Sequence, residues 1–179
     1  MTALKIIQVE TDEHQRHVRE LFWEYLKATN LIVNREFDIS FDVKAVLEND
    51  LAKIQQFAPP SGRLLLGEDE AKIAGCACLR KIGEDVGEIK RMYVRPEYRR
   101  RGIGRSLLKA IINETRQIGY STLRLDTAPF AKEAQALYHS LGFHKCEPYA
   151  ESDIPQNYYS RWIFMEMDLS VVSFNHSER

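Results

Sequence analysis

The sequence predicts an α/β fold of the α+β kind, a mixed sheet flanked by helices. Three observations carry that expectation. Helical periodicity comes early, strand-like segments dominate the middle and the end, and no regular strand–helix alternation of a doubly wound sheet runs through the chain. With 179 residues, of which 44% are hydrophobic, the chain is long enough to fill one core. No internal repeat or low-complexity linker divides it, so residues 1–169 are expected to form one domain. The polar residues 170–179 are expected to be a flexible C-terminal tail.

The elements follow in order. Leu4 to Val9 reads as a strand. Asp12 is placed to cap the next helix, with Gln15 as its capping-box partner. Val18, Leu21, Phe22, Tyr25 and Leu26 then recur at helical spacing. A less regular helix is expected over Phe41 to Phe57, stopped by Pro59-Pro60-Ser61-Gly62. Leu64 to Gly67 and Ile73 to Ile82 read as two strands joined through the acidic turn Glu68-Asp69-Glu70, and Glu88 to Val94 as a third, ended by Pro96. Ile103, Leu107, Leu108, Ile111 and Ile112 mark a helix that Gly119 stops. Thr122 to Leu125 is a short strand. Ala134, Leu137, Tyr138 and Leu141 form a helical stripe closed by Gly142, and Ile163 to Leu169 alternates as a late strand.

Composition excludes several function classes. Twenty-five basic residues face 26 acidic ones, for a net charge of -1, which argues against a general nucleic-acid binder. No run approaches the roughly 18 consecutive apolar residues of a membrane span. The N-terminus lacks a signal-peptide pattern, and the three cysteines, Cys76, Cys78 and Cys146, form no Cys-x-x-Cys pair. Reduced thiols and a cytoplasmic protein are the expectation. Cys76 and Cys78 would share one strand face as small packed side chains, and no convincing metal spacing exists among the histidines.

The chemistry concentrates at Arg99-Arg100-Arg101-Gly102-Ile103-Gly104, between the third of the middle strands and the helix that follows. The first N–H groups of a helix have no intrahelical partner, and with the helix dipole they form an anion site. Glycines at 102 and 104 let a phosphate approach the backbone, and the adjacent guanidinium groups supply forked donors. A bound phosphate or pyrophosphate is the first inference. A Rossmann fingerprint would need glycine where Leu107 stands, and a P-loop would need Gly-Lys-Ser/Thr where the chain has Gly104-Arg105-Ser106.

The pattern Arg/Gln-x-x-Gly-x-Gly/Ala is met by Arg99, Gly102 and Gly104. It follows Glu88-Ile-Lys-Arg-Met-Tyr-Val94 and precedes Ala136-Leu-Tyr-His-Ser-Leu-Gly-Phe143. Together these segments resemble the GNAT superfamily of acyl-CoA-dependent N-acetyltransferases, in its bacterial small-molecule subgroup. The resemblance covers Gly87 to Phe143 and extends loosely to the first helix and the Phe164 to Asp168 ending. It implies a mostly antiparallel central sheet, with acetyl-CoA as acyl donor and no metal. Under it Arg99, Arg100, Arg101, Gly102, Ile103, Gly104, Arg105 and Ser106 would hold the pyrophosphate. The backbone of Met92, Tyr93 and Val94 would pair with the pantetheine arm and polarise the thioester carbonyl. Glu88 matches the family's general base and Tyr138 its general acid.

The implied reaction is direct transfer of acetyl to an amine of a small molecule. The partners expected are acetyl-CoA and that amine, without nucleic acid or membrane, and analogy allows a homodimer. A non-catalytic acyl-CoA-binding or regulatory domain on the same fold is the alternative. Phe22, Trp23, Tyr25, Tyr158, Tyr159 and Trp162 are candidates for the acceptor pocket. Asp126 faces either that cleft or the next helix as a cap, and Arg95 flanks the turn.

Overall fold

A computed structural model describes residues 4–170; of the expected tail, 171–179 lie outside the described residues. A seven-stranded sheet runs in the order β1-β2-β3-β4-β5-β7-β6. The strands are β1 (Lys5–Gln8), β2 (Arg63–Asp69), β3 (Lys72–Lys81), β4 (Val86–Val94), β5 (Thr122–Thr127), β6 (His144–Lys145) and β7 (Ile163–Asp168). The β4–β5 pair alone is parallel, and every other neighbouring pair is antiparallel. The mixed, mostly antiparallel sheet expected from the sequence is therefore present. The helices are α1 (Asp12–Phe37), α2 (Val43–Ala52), α3 (Ile103–Ile118) and α4 (Lys132–Ser140).

Two apolar clusters cover the two faces of the sheet. On one, α3 buries Ile103, Leu107, Leu108 and Ile111 against Leu65, Ala77, Leu79 and Ile89, joined by Tyr138 of α4. Each buried aliphatic side chain of this kind is worth about 1.5–3 kcal/mol. On the other, Val18, Leu21, Phe22 and Leu26 of α1 and Leu47 of α2 pack on Leu64, Leu66, Cys76, Cys78 and Tyr93. The helical stripe read in α1 is the buried one, and Cys76 and Cys78 do share its face.

Three local expectations are corrected. The cap of α1 is Thr11, not Asp12: Thr11 is extended (φ -111, ψ 161), and its hydroxyl accepts from the His14 N–H at 3.1 Å. Asp12 and Glu13 occupy the first turn instead, where they complement the dipole, and Gln15 closes no capping box. The helix expected over 41–57 is two pieces, because α2 ends at Ala52 with Lys53 as its C-cap, and Ile54–Phe57 tighten into a 3-10 turn. The β2–β3 turn lies at Glu70 and Ala71, both with positive φ, so Glu68 and Asp69 belong to β2. The two-residue strand β6 carries no alternation long enough to read.

One feature of β4 shapes everything downstream. Arg91 has φ 50, and the β3 register shifts between Cys76 and Cys78 opposite it, which makes a β-bulge. Asp50 of α2 holds the bulged residue by a two-pronged ion pair, Nε to Oδ2 at 2.7 Å and Nη2 to Oδ1 at 2.9 Å.

Candidate active site

The strands β4 and β5 pair only from Val86 to Glu88 against Thr122 to Arg124. From Ile89 to Val94, β4 pairs with β3 alone, so the sheet opens between β4 and β5. The backbone of Met92, Tyr93 and Val94 lies along that free edge. An extended molecule carrying amides can add to such an edge as a strand would.

At the end of the same edge the chain turns into α3. Gly102 caps the helix at φ 80 with no side-chain partner, and the first helical bond runs from Ser106 N–H to the Gly102 carbonyl at 3.0 Å. The N–H groups of Gly102, Ile103, Gly104 and Arg105 thus have no partner among the described residues. A side chain at Gly104 would come within 3.4 Å of Met92 and 3.5 Å of Leu137 of α4, so the helix start sits directly beside β4 and α4.

The arginine side chains of the turn have partners within the fold. Arg99 Nε donates to the Val94 carbonyl at 3.0 Å, Arg101 pairs with Asp69 at 2.9 Å, and Arg105 donates to Ser140 Oγ at 2.9 Å. Those guanidinium groups brace the turn. Arg100 is exposed, with Glu133 at 3.5 Å. Arg95 is no mere flanking charge. It donates to Glu24 of α1 at 2.8 Å and to the Ile73 carbonyl at 2.7 Å, tying the end of β4 to α1.

On the α1–α2 side of the opening lies a buried polar cluster. Glu88 is completely buried, and Arg80 Nε donates to its Oε1 at 2.8 Å. Its other oxygen, Oε2, accepts from no cation, and the buried hydroxyl of Tyr149 lies beside the carboxyl, where it favours the charged form. Burial raises the Glu88 carboxyl above its ordinary range, although Lys90 and Arg80 pull it back. Lys90 stands 3.4 Å from Asp126, 3.3 Å from Asp153 and 3.9 Å from Glu88. Burial pulls its ammonium down, but these carboxylates outweigh it and hold Lys90 charged. Arg80 also reaches Asp153, at 3.3 Å, and Gln56, at 3.2 Å. Burial works against the Asp153 charge, yet Lys90 and Arg80 bring its carboxyl below the ordinary value.

Tyr138 comes from the opposite face. Its ring packs edge-on against Phe143 at 5.8 Å, and its hydroxyl makes no hydrogen bond among the described residues. Burial, then Tyr25 of α1 and Asp126, raise this phenol well above its ordinary range. Tyr138 thus stands in the apolar cluster of the α3 face, and Glu88 in the polar cluster of the opposite face. The arrangement can hold an anion at one end, an extended amide chain along β4, and a reacting group between a carboxylate and a phenol.

Asp126 does not cap α4, whose N-cap is Ala131. It accepts from Trp162 Nε1 at 3.2 Å and from Ser152 Oγ at 3.1 Å. Of the aromatic candidates, Phe22 is core, Trp23 lies on the surface, Tyr25 packs on Tyr93 and Tyr159 on Phe164, while Trp162 reaches the site. Arg80, Lys90, Tyr149 and Asp153 were missed from sequence. Lys90 carried a signal, since it lies two residues from Glu88 in an apolar strand and so shares its face. Among the described residues no group of His, Cys, Asp and Glu could hold a metal, and no helix is long and apolar enough to cross a membrane.

Known proteins resemble this chain in sequence and in fold. Residues 11–143 match the model of the acetyltransferase (GNAT) family. An uncharacterized N-acetyltransferase of Schizosaccharomyces pombe is 36% identical over 129 residues, covering 71% of this chain and 79% of that one. An IAA acetyltransferase of Azospirillum brasilense is 35% identical over 109 residues, covering 60% of this chain and 71% of the relative. The PaiA N-acetyltransferase of Thermoplasma acidophilum, solved in complex with coenzyme A, superposes with a TM-score of 0.71 at 17% identity, over 93% of this chain and 99% of that one.

Proposed function

The chain belongs to the acetyltransferase (GNAT) family, and on that premise we propose that it moves the acetyl group of acetyl-CoA directly to the amine of a small-molecule acceptor in the cytoplasm. The observation that carries the reading is the meeting of three features at one opening: the unpartnered N–H groups of α3, the free edge of β4, and Glu88 and Tyr138 on either side. The coenzyme A held by the Thermoplasma relative supports the choice of donor.

In this reading the turn Arg99 to Arg105, with Ser106, holds the pyrophosphate through backbone N–H groups. Met92, Tyr93 and Val94 hold the pantetheine amides and offer an N–H to the thioester carbonyl, where negative charge develops. An alkylammonium has a pKa near about 10.4 and must lose a proton before it attacks. Glu88 takes that proton on Oε2, the oxygen that Arg80 leaves open. Tyr138 gives its proton to the departing thiolate, and its raised pKa keeps it protonated at any working pH. Cys76 and Cys78 are buried, burial pushing the Cys76 thiol up to about 12 and the Cys78 thiol well above its ordinary value, and Cys146 is raised to about 11. Thiolates are then scarce at neutral pH, which favours direct transfer over a cysteine-bound acyl group.

The test is release of free thiol from acetyl-CoA across a panel of amines. Release with at least one amine is the expected result. Thermal stabilisation by acetyl-CoA with no release for any amine, amino acid, polyamine or peptide would replace the enzyme reading with that of a non-catalytic acyl-CoA binder.

A further inference from the structure

Phe37 closes α1, Phe130 lies between β5 and α4, and Trp162 precedes β7. These segments are far apart in sequence, yet their rings meet. The centroids are 6.1 Å apart for Phe37 and Phe130, and 6.5 Å for each of these rings from Trp162. All three side chains are half-buried, and none belongs to either apolar cluster of the core. They form a separate aromatic wall, partly exposed to solvent.

The wall adjoins the carboxylates of the opening directly, because Trp162 Nε1 donates to Asp126 Oδ1 at 3.2 Å. Beyond Asp126 stand Lys90 and Arg80 against Glu88, Asp126 and Asp153, two cations facing three carboxylates. The formal balance is one negative charge, with the Tyr149 hydroxyl beside Glu88. A cation entering from the wall would balance that charge. It would also pass over aromatic faces, which attract ammonium groups.

The backbone that presents the rings is fixed. The Asp38 N–H bonds the Asn34 carbonyl at 3.0 Å just after Phe37, Gln135 Nε2 donates to the Ala128 carbonyl at 2.9 Å around the Phe130 loop, and Trp162 N–H donates to the Tyr158 carbonyl at 3.0 Å. A wall held this way loses little freedom when a ligand ring packs on it.

We propose that the acceptor is an arylalkylamine, with an aromatic ring that packs on Phe37, Phe130 and Trp162 and a short chain that carries its ammonium to Asp126 and Glu88. This rests on the reading of the site as an amine acetyltransferase, and it adds the chemical class of the acceptor. The short chain follows from Trp162 touching both the wall and the carboxylate.

The experiment compares phenethylamine and tryptamine with hexylamine and spermidine, at saturating acetyl-CoA, by turnover and by calorimetric binding. The aryl amines should show kcat/KM higher than hexylamine by about 10-fold, the scale of an aromatic contact added to equal apolar burial. In Phe130→Leu the ratio of aryl to alkyl amine should fall toward one. Turnover without an aryl preference in the unmodified protein overturns the proposal, whether or not the variant folds. Tighter binding of aryl amines without acetyl transfer sustains the aryl site and removes the transferase reading. Neither binding nor turnover of any amine removes both.

Discussion

Replacing Arg80 by methionine removes the partner of a carboxylate that has no exposure to solvent. In the native protein Arg80 donates to Glu88 Oε1 at 2.8 Å, and the next cation, Lys90, is 3.9 Å away and shared with two aspartates. Breaking a buried pair from one side costs about 3–5 kcal/mol. Glu88 can limit the loss by taking a proton. From an ordinary glutamate pKa of about 4.3, protonation at pH 7 costs about 3.7 kcal/mol, and at pH 5 about 1 kcal/mol. Burial already raises the Glu88 pKa, and the substitution raises it further. A carboxyl whose folded pKa lies above its unfolded value loses stability as pH rises. The deficit of Arg80→Met relative to the native protein should therefore be about 3 kcal/mol at pH 7 and shrink by up to about 1.4 kcal/mol per pH unit toward pH 5. Urea unfolding at pH 5, 6 and 7 measures it, and Arg80→Met/Glu88→Gln should regain most of the loss at pH 7. A deficit independent of pH, or a double variant no more stable than the single one, would refute the placement of a buried carboxylate against Arg80.

Further outcomes concern the proposed chemistry. Tyr138→Phe should lower kcat by about 100-fold while changing the KM for acetyl-CoA little, because the ring stays packed on Phe143; steady-state kinetics with the donor varied separates the two. Glu88→Gln should cut the rate most between the pKa of Glu88 and that of the amine, where free amine is scarce and the native carboxylate is charged. The native pH–rate profile should lose activity on the acid side at a higher pH than an ordinary carboxylate would set, since burial raises Glu88. Gly102→Ala meets no atom within 4 Å, so its effect comes from φ 80 alone. About 1 kcal/mol of strain is expected there, read as a lower melting temperature and a weaker CoA-induced shift.

Most elements were legible because their signals are local. The apolar stripe of α1 from Val18 to Leu26, the stripe of α3 from Ile103 to Ile112, and the stop at Gly119 follow from residues within a few positions of one another. The α1 cap was misplaced by one residue because Thr11 and Asp12 are both capable caps, and only the backbone turn decides between them. The glycines that free the α3 N–H groups, and the order of Glu88, the turn and Tyr138, were also visible. So was the donor they suggest through their resemblance to the acetyltransferases, whose family the chain has since been shown to match.

The tertiary structure decided what the charges do. Nothing near Arg101 in sequence names Asp69, nothing near Arg95 names Glu24, and the bulge at Arg91 depends on Asp50 of a distant helix. The arginine triplet suggests phosphate donors in sequence, and only the fold shows that Arg99 and Arg101 also brace the turn through Val94 and Asp69. In the same way the cluster of Arg80, Lys90, Asp126 and Asp153 around Glu88, and the aromatic wall beside it, exist only where strands and loops cross. Backbone conformation and burial periodicity are set by neighbours along the chain, so the sequence by itself determined most elements and the glycine turn that opens α3. Charge pairing and the shape of an acceptor cleft are set by neighbours in space, and these only the folded chain could decide.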